Sequence, residues 1–533
     1  MLGQVAFVLA MVAVIIAAQL IADRLNVPYT IVLTLCGLVY ALLPGPNLHL
    51  EPHLVLVLVI PPLLFGAARR SSLLAIRANW RPITSLSVVL VLLTALVVGL
   101  LADWAVPSIT LAGGVVLGAA VAPPDPVAAL SIGRRAGLPP RLVTLIGGEG
   151  LLNDATALTT WQVAVAAAVG GGFSIAYAAG KFLLAAAGGL AIGAAIGYLM
   201  RHARVLLRDP LLANTASLAT PFLAYLAGEE AHVSGVLAVV IAGLMAGHDA
   251  PAGASGASRL QTGAVWQLVE FLLEGLVFLL IGQQLPTVLR GLRDEPAGTT
   301  AAAIGLTLAA VLLIRPLWLI LTQRVPAWLG WRLGDSTPPL NGREITALTW
   351  AGTRGVITLA AVFAVPTTIA GGHPFPDRDL MILCAYVVVL VTLVGQGLTF
   401  APLLRRLGLR ADASEEAQVR LAARLAAIDA ATQTVDDLQA EKAVTAAVAD
   451  SLRGSLRQRA DRYRARASAL ADSDDAAGQW SPEAEAAVRA QHAVIDAQRR
   501  ELLRWRDCGR LPDDSLRQLQ RELDHEEHTL PSL

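Results

Sequence analysis

Long apolar runs fill the first three quarters of this chain and constrain its fold more than any other feature. Each run is long enough to cross about 30 Å of hydrocarbon, and each is rich in alanine, leucine and valine. Lipid offers no partner to an open sheet edge, so such runs are expected to be helices. The sequence predicts an all-α polytopic membrane protein with about thirteen transmembrane helices. The predicted spans lie near residues 4–22, 27–43, 53–67, 83–104, 108–131, 140–168, 173–200, 209–228, 232–247, 262–288, 298–323, 343–370 and 379–407.

Charged residues divide the 533-residue chain into two predicted domains. Residues 1–410 hold 42 of them, whereas the remaining 123 residues hold 40. We therefore expect a membrane domain over 1–410 and a soluble, mostly helical tail over 411–533, with a break between helices near 471–483. The formal net charge of zero gives no indication of nucleic-acid binding.

Basic residues are distributed unequally between the two sets of predicted loops. One set, together with the stretch after the last span, holds 18 arginines, and the other set holds only Arg290, Arg293 and Arg378. The positive-inside rule assigns the richer set to the cytoplasm. The N-terminus is then predicted outside and the tail inside.

The fifth predicted span, which includes "GAAVAPPDPVAAL", contains helix breakers at mid-depth. Pro123, Pro124 and Pro126 lack amide donors, and their rings clash with the preceding turn. The helix is therefore predicted to unwind around Asp125.

The twelfth predicted span, which includes "WAGTRGVITL", is also weakened, because Gly352 and Gly355 flank Thr353 and Arg354. The fifth and twelfth spans are seven apart and so run in opposite directions, as inverted repeats require. Secondary transporters use such paired discontinuous helices to build midplane ion sites. Ordinary kinks are the alternative, but the charged residues at both breaks favour a functional role.

The sixth predicted span, "GGEGLLNDATALTTW", carries two carboxylates and an amide. Glu149 and Asn153 are four residues apart and share a helix face, whereas Asp154 points about 100° away from Asn153. A charge at mid-membrane costs about 2.5–3.5 kcal/mol and needs a partner or a cavity. The two carboxylates are therefore expected to have different partners.

The interrupted spans and the sixth span together offer three acids and one base. Arg354 can neutralise one acid, and an ion pair with Glu149 would leave Asp125 and Asp154 unpaired. Two nearby carboxylates do not both ionise readily at low dielectric, so such a pair can hold either protons or a monovalent cation. A static salt-bridged core is the alternative, and it leaves both aspartates unexplained. In the tenth span, Glu270 and Glu274 share a face.

Several motifs resemble the NhaP/NHE branch of monovalent cation–proton antiporters. "EGLLNDATA" resembles the Glu-x-x-x-Asn-Asp motif of this family, and "PPDPVAAL" is similar to its Thr-Asp-Pro element. "SGVLAVVIAGLMAG", "LVFLLIGQQL" and "GTRGVITLA" also match family patterns, in the expected order. The resemblance covers most of residues 1–410.

The resemblance implies a homodimer of thirteen-span protomers, each with a core domain and a dimerisation domain. The fifth and twelfth helices would cross in the core, which would carry the ion by alternating access. By motif, Asp154 is the ion- and proton-exchanging carboxylate, with Asn153 as its neighbour and Asp125 at the broken fifth span. Glu149 and Arg354 match the structural ion pair. An Asn-Asp pair implies electroneutral one-for-one exchange.

Three residues depart from the family pattern. Pro124 stands where relatives usually have Thr, Gly150 where some have Ser, and Gly66 where many have Glu. Each change removes an oxygen group, so water or main-chain carbonyls are expected to replace the lost ligands. Potassium, lithium or a broader preference is then an alternative to sodium.

The sequence thus predicts a sodium–proton antiporter of the inner membrane that regulates internal pH and cation content. It is expected to need no cofactor and to catalyse no reaction, and Glu274 and Thr353 are expected to line a cavity. The alternatives are a potassium–proton antiporter regulated by the tail, an intramembrane aspartyl protease and a channel or receptor. The protease alternative lacks its Gly-x-Gly-Asp signature, because Asn153 precedes Asp154.

Overall fold

The described part of the chain is helical, apart from one isolated β-bridge between Thr368 and Pro374. Contacts along the chain divide it into two compact units, Met1–Arg410 and Ala411–Leu533. The computed structural model describes residues 2–25, 27–42, 55–170, 175–207, 209–253, 256–290, 297–328, 340–409, 413–471, 482–508, 510–511, 515–516, 519–520 and 523–524.

The first unit is a bundle of helices of very different lengths. In chain order they are α1 (Leu2–Leu25), α2 (Tyr29–Leu42), α3 (Ile60–Arg70), α4 (Leu73–Ala78), α5 (Trp80–Ala105), α6 (Leu111–Val121), α7 (Pro126–Arg135), α8 (Pro140–Gly170), α9 (Ile175–Leu206), α10 (Pro210–Glu230), α11 (Gly235–Gly253), α12 (Gly256–Arg290), α13 (Ala297–Trp328), α14 (Gly342–Trp350), α15 (Val356–Phe363) and α16 (Arg378–Leu407). One turn of wider π-helix, Val55–Val59, precedes α3.

The all-α membrane fold predicted from the sequence is confirmed. Each predicted span overlaps one of these helices, except the fifth and the twelfth, which each overlap two. Among the described residues, α5, α9, α10, α12, α13 and α16 each contain a stretch long and apolar enough to cross a membrane. That all thirteen runs cross stays a prediction.

The fifth span is interrupted where its prolines predict. The helix α6 starts behind Thr110, whose hydroxyl accepts a hydrogen bond from the Gly113 amide at 3.3 Å. It ends at Val121, and α7 begins at Pro126, where a missing amide proton is tolerated. Four residues between the two helices therefore have main-chain groups that need other partners.

The twelfth span is interrupted in the same way. A capping box between Asn341 and Glu344 starts α14, which ends at Trp350. Helix resumes only at Val356. The two-glycine segment between α14 and α15 is therefore the second break.

Helices α6 and α15 lie mostly inside the bundle, as does the segment 351–355 between α14 and α15. Every residue of α6 from Ala112 to Val121 is buried. By contrast, α9 exposes Leu183 and Leu184, as a lipid-facing helix would. This placement keeps both breaks away from the outer surface of the unit.

The second unit contains α17 (Ala413–Ala440), α18 (Ala446–Ala471) and α19 (Pro482–Asp507). A short connection joins α17 to α18, and the two helices pack together. Arg453 of α18 donates to Asp436 of α17 at 2.6 Å, and Arg424 stacks 4.9 Å from the ring centroid of Tyr463. Most of the predicted break at 471–483 lies outside the described residues.

Candidate functional site

The two breaks lie against each other and are joined by hydrogen bonds. The amide of Asp125 donates to the carbonyl oxygen of Thr353 at 2.6 Å, and the Thr353 hydroxyl donates to the carbonyl oxygen of Asp125 at 2.9 Å. Each break thus satisfies main-chain groups that the other leaves without a helical partner. The two discontinuous helices are thus in direct contact at their breaks, and that they cross stays a prediction.

Asp125 is fixed at the start of α7. One carboxylate oxygen accepts a hydrogen bond from the amide of Val127 at 2.9 Å, which caps the helix N-terminus. The other carboxylate oxygen lies so close to Gly355 that a β-carbon there would collide with it. The positive end of α7 and the glycine backbone therefore hold this carboxylate in one position.

Asn153 and Asp154 approach the break from α8. Asn153 is fully buried, and its amide nitrogen donates to the carbonyl oxygen of Pro124 at 2.8 Å. Its side-chain oxygen is buried and has no hydrogen-bond partner among the described residues. Asn153 thus supplies the hydrogen-bond donor that the Pro124 carbonyl lacks because the helix is interrupted. The side chain of Asp154 is 6% exposed and makes no such contact with the break among the described residues.

Glu149 forms a buried ion pair, but not with the predicted partner. Its two carboxylate oxygens accept hydrogen bonds from the two terminal nitrogens of Arg315 on α13, the longer at 2.9 Å. Arg315 also donates from its Nε to the carbonyl oxygen of Leu348 at 2.9 Å. The predicted pairing of Glu149 with Arg354 is therefore wrong, since Arg315 offers the bidentate geometry that a buried carboxylate needs.

Arg354 instead binds the ends of the interrupted helices. Its guanidinium donates to the carbonyl oxygens of Val121 at 3.1 Å, Ala122 at 3.3 Å and Gly352. These carbonyls belong to the C-terminal ends of α6 and α14, where helix dipoles concentrate negative charge. The physical reason for the wrong prediction is that freed carbonyls, as well as carboxylates, attract a buried arginine.

A cavity of about 320 Å³ opens beside the two breaks. Asp125, Asp154 and Glu274 line it together, and Arg70 is the one basic residue among the described residues that do so. Thr353 was also expected to line a cavity, but it is not among these lining residues. Three carboxyl groups in one cavity provide the oxygen ligands that bind protons or a hard monovalent cation.

Two further features shape this cavity. The Tyr29 hydroxyl donates to the carboxylate of Glu274, which lies on α12. A β-carbon at Gly150 would collide with the ring of Pro126, so glycine lets α8 pack against the start of α7. The serine that some relatives have at position 150 would not fit this approach without a shift of the ring.

Two interrupted helices whose breaks meet beside buried carboxylates are typical of an ion-coupled secondary transporter. A family model described as "Sodium/hydrogen exchanger, transmembrane" matches residues 8–406. The chain therefore belongs to the transmembrane sodium/hydrogen exchangers, as its motifs indicated.

Known relatives and a solved structure agree with this membership. An uncharacterized Na(+)/H(+) exchanger of Mycobacterium tuberculosis (strain ATCC 25618 / H37Rv) is 31% identical, over 98% of this chain and 95% of the relative. The sodium, potassium, lithium and rubidium/H(+) antiporter of Bacillus subtilis (strain 168) is 34% identical, over 71% of this chain and 58% of the relative. The sodium proton antiporter MjNhaP1 from Methanocaldococcus jannaschii shares the fold, with a TM-score of 0.60 at 17% identity over 76% of this chain and 99% of that one.

Proposed function

We propose that this protein exchanges a monovalent cation for protons across the cell membrane by alternating access. The observation that carries the proposal is the placement of Asp125 and Asp154 in one cavity beside the two helix breaks. A cation and a proton compete for the same carboxylates, so the site holds one or the other, and exchange results when the site changes sides only in its loaded states. The Asn153–Asp154 pair supports one-for-one, electroneutral exchange.

We propose Asp154 as the carboxylate that binds the cation and the proton in turn. Asp125 already accepts from the Val127 amide, and Asn153 holds the Pro124 carbonyl, so both have fixed structural contacts. Among the residues that the structure describes, Asp154 has no comparable hydrogen bond across the break. Its protonation state can therefore change without loss of the contacts that join α6, α7 and α8.

Sodium is the first expected cation, and potassium or lithium is the alternative. The Bacillus subtilis relative is named for four alkali cations, which favours a broad preference. A proline at position 124 and a glycine at position 150 offer no side-chain oxygen for a small, strongly hydrated ion. A cavity that supplies few fixed ligands discriminates weakly between cation radii.

The wild-type protein is expected to move protons when a monovalent cation is added. Everted vesicles would be acidified by respiration, and a pH-sensitive dye would report the recovery after addition of sodium, potassium or lithium. Choline, whose nitrogen is shielded by permanent methyl groups and cannot take up carboxylate oxygens as direct ligands, serves as the control cation. Equal dye signals for choline and all three alkali cations would exclude cation–proton exchange.

The close approach of Gly355 to Asp125 gives a second prediction. Gly355→Ala is expected to lower the exchange rate on the order of 10-fold or more, because the methyl group displaces the Asp125 carboxylate. Gly305→Ala is the matched control, since a β-carbon there meets no atom within 4 Å. Initial rates at equal amounts of folded protein would be compared, and equal rates in both variants would contradict a fixed Asp125.

Further properties are proposed from the sequence and the family. The protein is proposed to be a homodimer that regulates internal pH and cation content, with its N-terminus outside and its tail in the cytoplasm. We expect neither a cofactor nor an enzymatic activity, and nucleic acid is not an expected partner. The alternative is a potassium–proton antiporter regulated through residues 411–533.

A further inference from the structure

Arg70, which lines the cavity, forms an ion pair that involves none of the residues hydrogen-bonded between the two breaks. The guanidinium of Arg70, at the end of α3, binds the carboxylate of Glu270 on α12. The Glu270 side chain is only 10% exposed, whereas the Arg70 side chain is 44% exposed. The second carboxylate oxygen of Glu270 is buried and has no hydrogen-bond partner among the described residues.

The absence of a side chain at Gly66 makes room for this pair. A β-carbon at Gly66 would collide with the Glu270 carboxylate. The space next to α3 is thus occupied by a carboxylate from α12, and Arg70, one turn further along α3, reaches the same carboxylate. The Glu270 carboxylate therefore places oxygen atoms beside Gly66, although glycine itself has no side-chain oxygen.

Arg70 also belongs to the cavity in which the proposed exchange takes place. It lines the cavity with Asp125, Asp154 and Glu274, and it lies close enough to Glu274 to interact with it electrostatically. A fixed positive charge in a cavity with low-dielectric walls repels mobile cations, and a buried carboxylate attracts them. Arg70 therefore places a positive charge in the wall of the cavity, and Glu270 places a negative charge directly against it.

We propose that Arg70 is an affinity-setting residue, whose guanidinium acts as a tethered cation that competes with the transported cation for the carboxylates of the cavity. This inference rests on the proposed exchange function and deepens it. Glu270 holds the guanidinium at the edge of the cavity, which limits how strongly Arg70 repels an arriving ion. The balance between the two charges sets the cation concentration needed for half-maximal exchange.

The proposal predicts changes of opposite sign for the two partners. Arg70→Gln leaves the cavity one charge more negative, so the KM for the cation should fall, roughly three- to tenfold. Glu270→Gln releases the guanidinium, so KM should rise by a similar factor. The double variant removes one charge of each sign, and its KM should return close to the wild-type value.

The test measures the dye response in everted vesicles over a range of sodium and potassium concentrations. KM and the maximal rate would be obtained for the wild type, both single variants and the double variant. Arg70→Lys should keep the wild-type KM within about twofold because it keeps the charge. Arg77→Gln, which removes an exposed arginine of α4 that does not line the cavity, is the matched control.

A merely structural ion pair would lower the amount of folded protein and the maximal rate, without shifts of KM in opposite directions. The inference is overturned if both single variants shift KM in the same direction, or if Arg70→Gln and Arg77→Gln have the same KM as the wild type. Those outcomes leave wild-type exchange intact, so they are distinct from failure of the proposed function. Absence of exchange in the wild type itself would overturn both.

Discussion

Asp154→Asn is expected to abolish cation–proton exchange while the protein stays folded. Asparagine has nearly the same shape as aspartate, so it fits the buried position, but it can neither release a proton nor offer a negative charge to a cation. The dye signal in everted vesicles should fall to that of vesicles without the protein. Size-exclusion elution and melting temperature in detergent should remain close to the wild type.

Two comparisons make this prediction specific to Asp154. Glu230→Gln, at the exposed end of α10, removes a carboxylate outside the cavity and should leave exchange unchanged. Asp154→Glu keeps the charge and should retain part of the activity. Full exchange by a folded Asp154→Asn protein would show that another group carries the proton.

Loss of one partner of the Glu149–Arg315 pair is expected to have the largest effect on stability. Either Glu149→Gln or Arg315→Gln leaves the other charge buried without its counter-charge, which costs about 3–5 kcal/mol. The melting temperature in detergent should fall strongly in both variants. The double variant Glu149→Gln/Arg315→Gln should regain much of the loss, since neither charge is then left alone.

A double-mutant cycle separates the observed pairing from the one expected from the sequence. The coupling between positions 149 and 315 should exceed the coupling between positions 149 and 354, because Arg354 donates mainly to main-chain carbonyls. Arg354→Gln should still lower stability by loss of those hydrogen bonds. A larger coupling of Glu149 to Arg354 than to Arg315 would contradict the observed arrangement.

Local sequence predicts the two breaks well because their cause is local. Prolines beside Asp125 remove main-chain donors, and glycines beside Thr353 weaken the helix, whatever surrounds them. The opposite directions of the two spans also follow from the sequence, because the fifth and twelfth spans are an odd number of spans apart. The structure adds that the two breaks hydrogen-bond to each other through Asp125 and Thr353, so each provides partners for main-chain groups of the other.

Contacts between side chains on different helices are harder to predict, as the Glu149–Arg315 ion pair shows. The sequence gives the face of α8 on which Glu149 lies but does not specify which helix packs against that face. The sequence favours Arg354 as the partner of Glu149 because Arg354 lies at a break. Arg315 lies instead within the apolar run "VLLIRPLWLI". A mid-span arginine needs a counter-charge or a cavity, so the position of Arg315 marks it as a candidate partner for a buried carboxylate.

The glycines at positions 66 and 150 illustrate the same limit. From the sequence they are positions that lack an oxygen ligand. In the structure, Gly150 allows contact with Pro126, and Gly66 leaves room for the Glu270 carboxylate. Both explanations depend on residues distant in sequence or on another helix, which periodicity does not identify.

Proton release on cation binding tests the central claim most directly, namely that a cation and a proton compete for one set of carboxylates. Purified protein in weakly buffered detergent solution would be titrated with sodium chloride, with choline chloride as the reference, while pH and bound sodium are measured together. We predict the release of about one proton per sodium ion bound, and no release from Asp154→Asn. Sodium binding by the wild type with no release of protons would contradict the account.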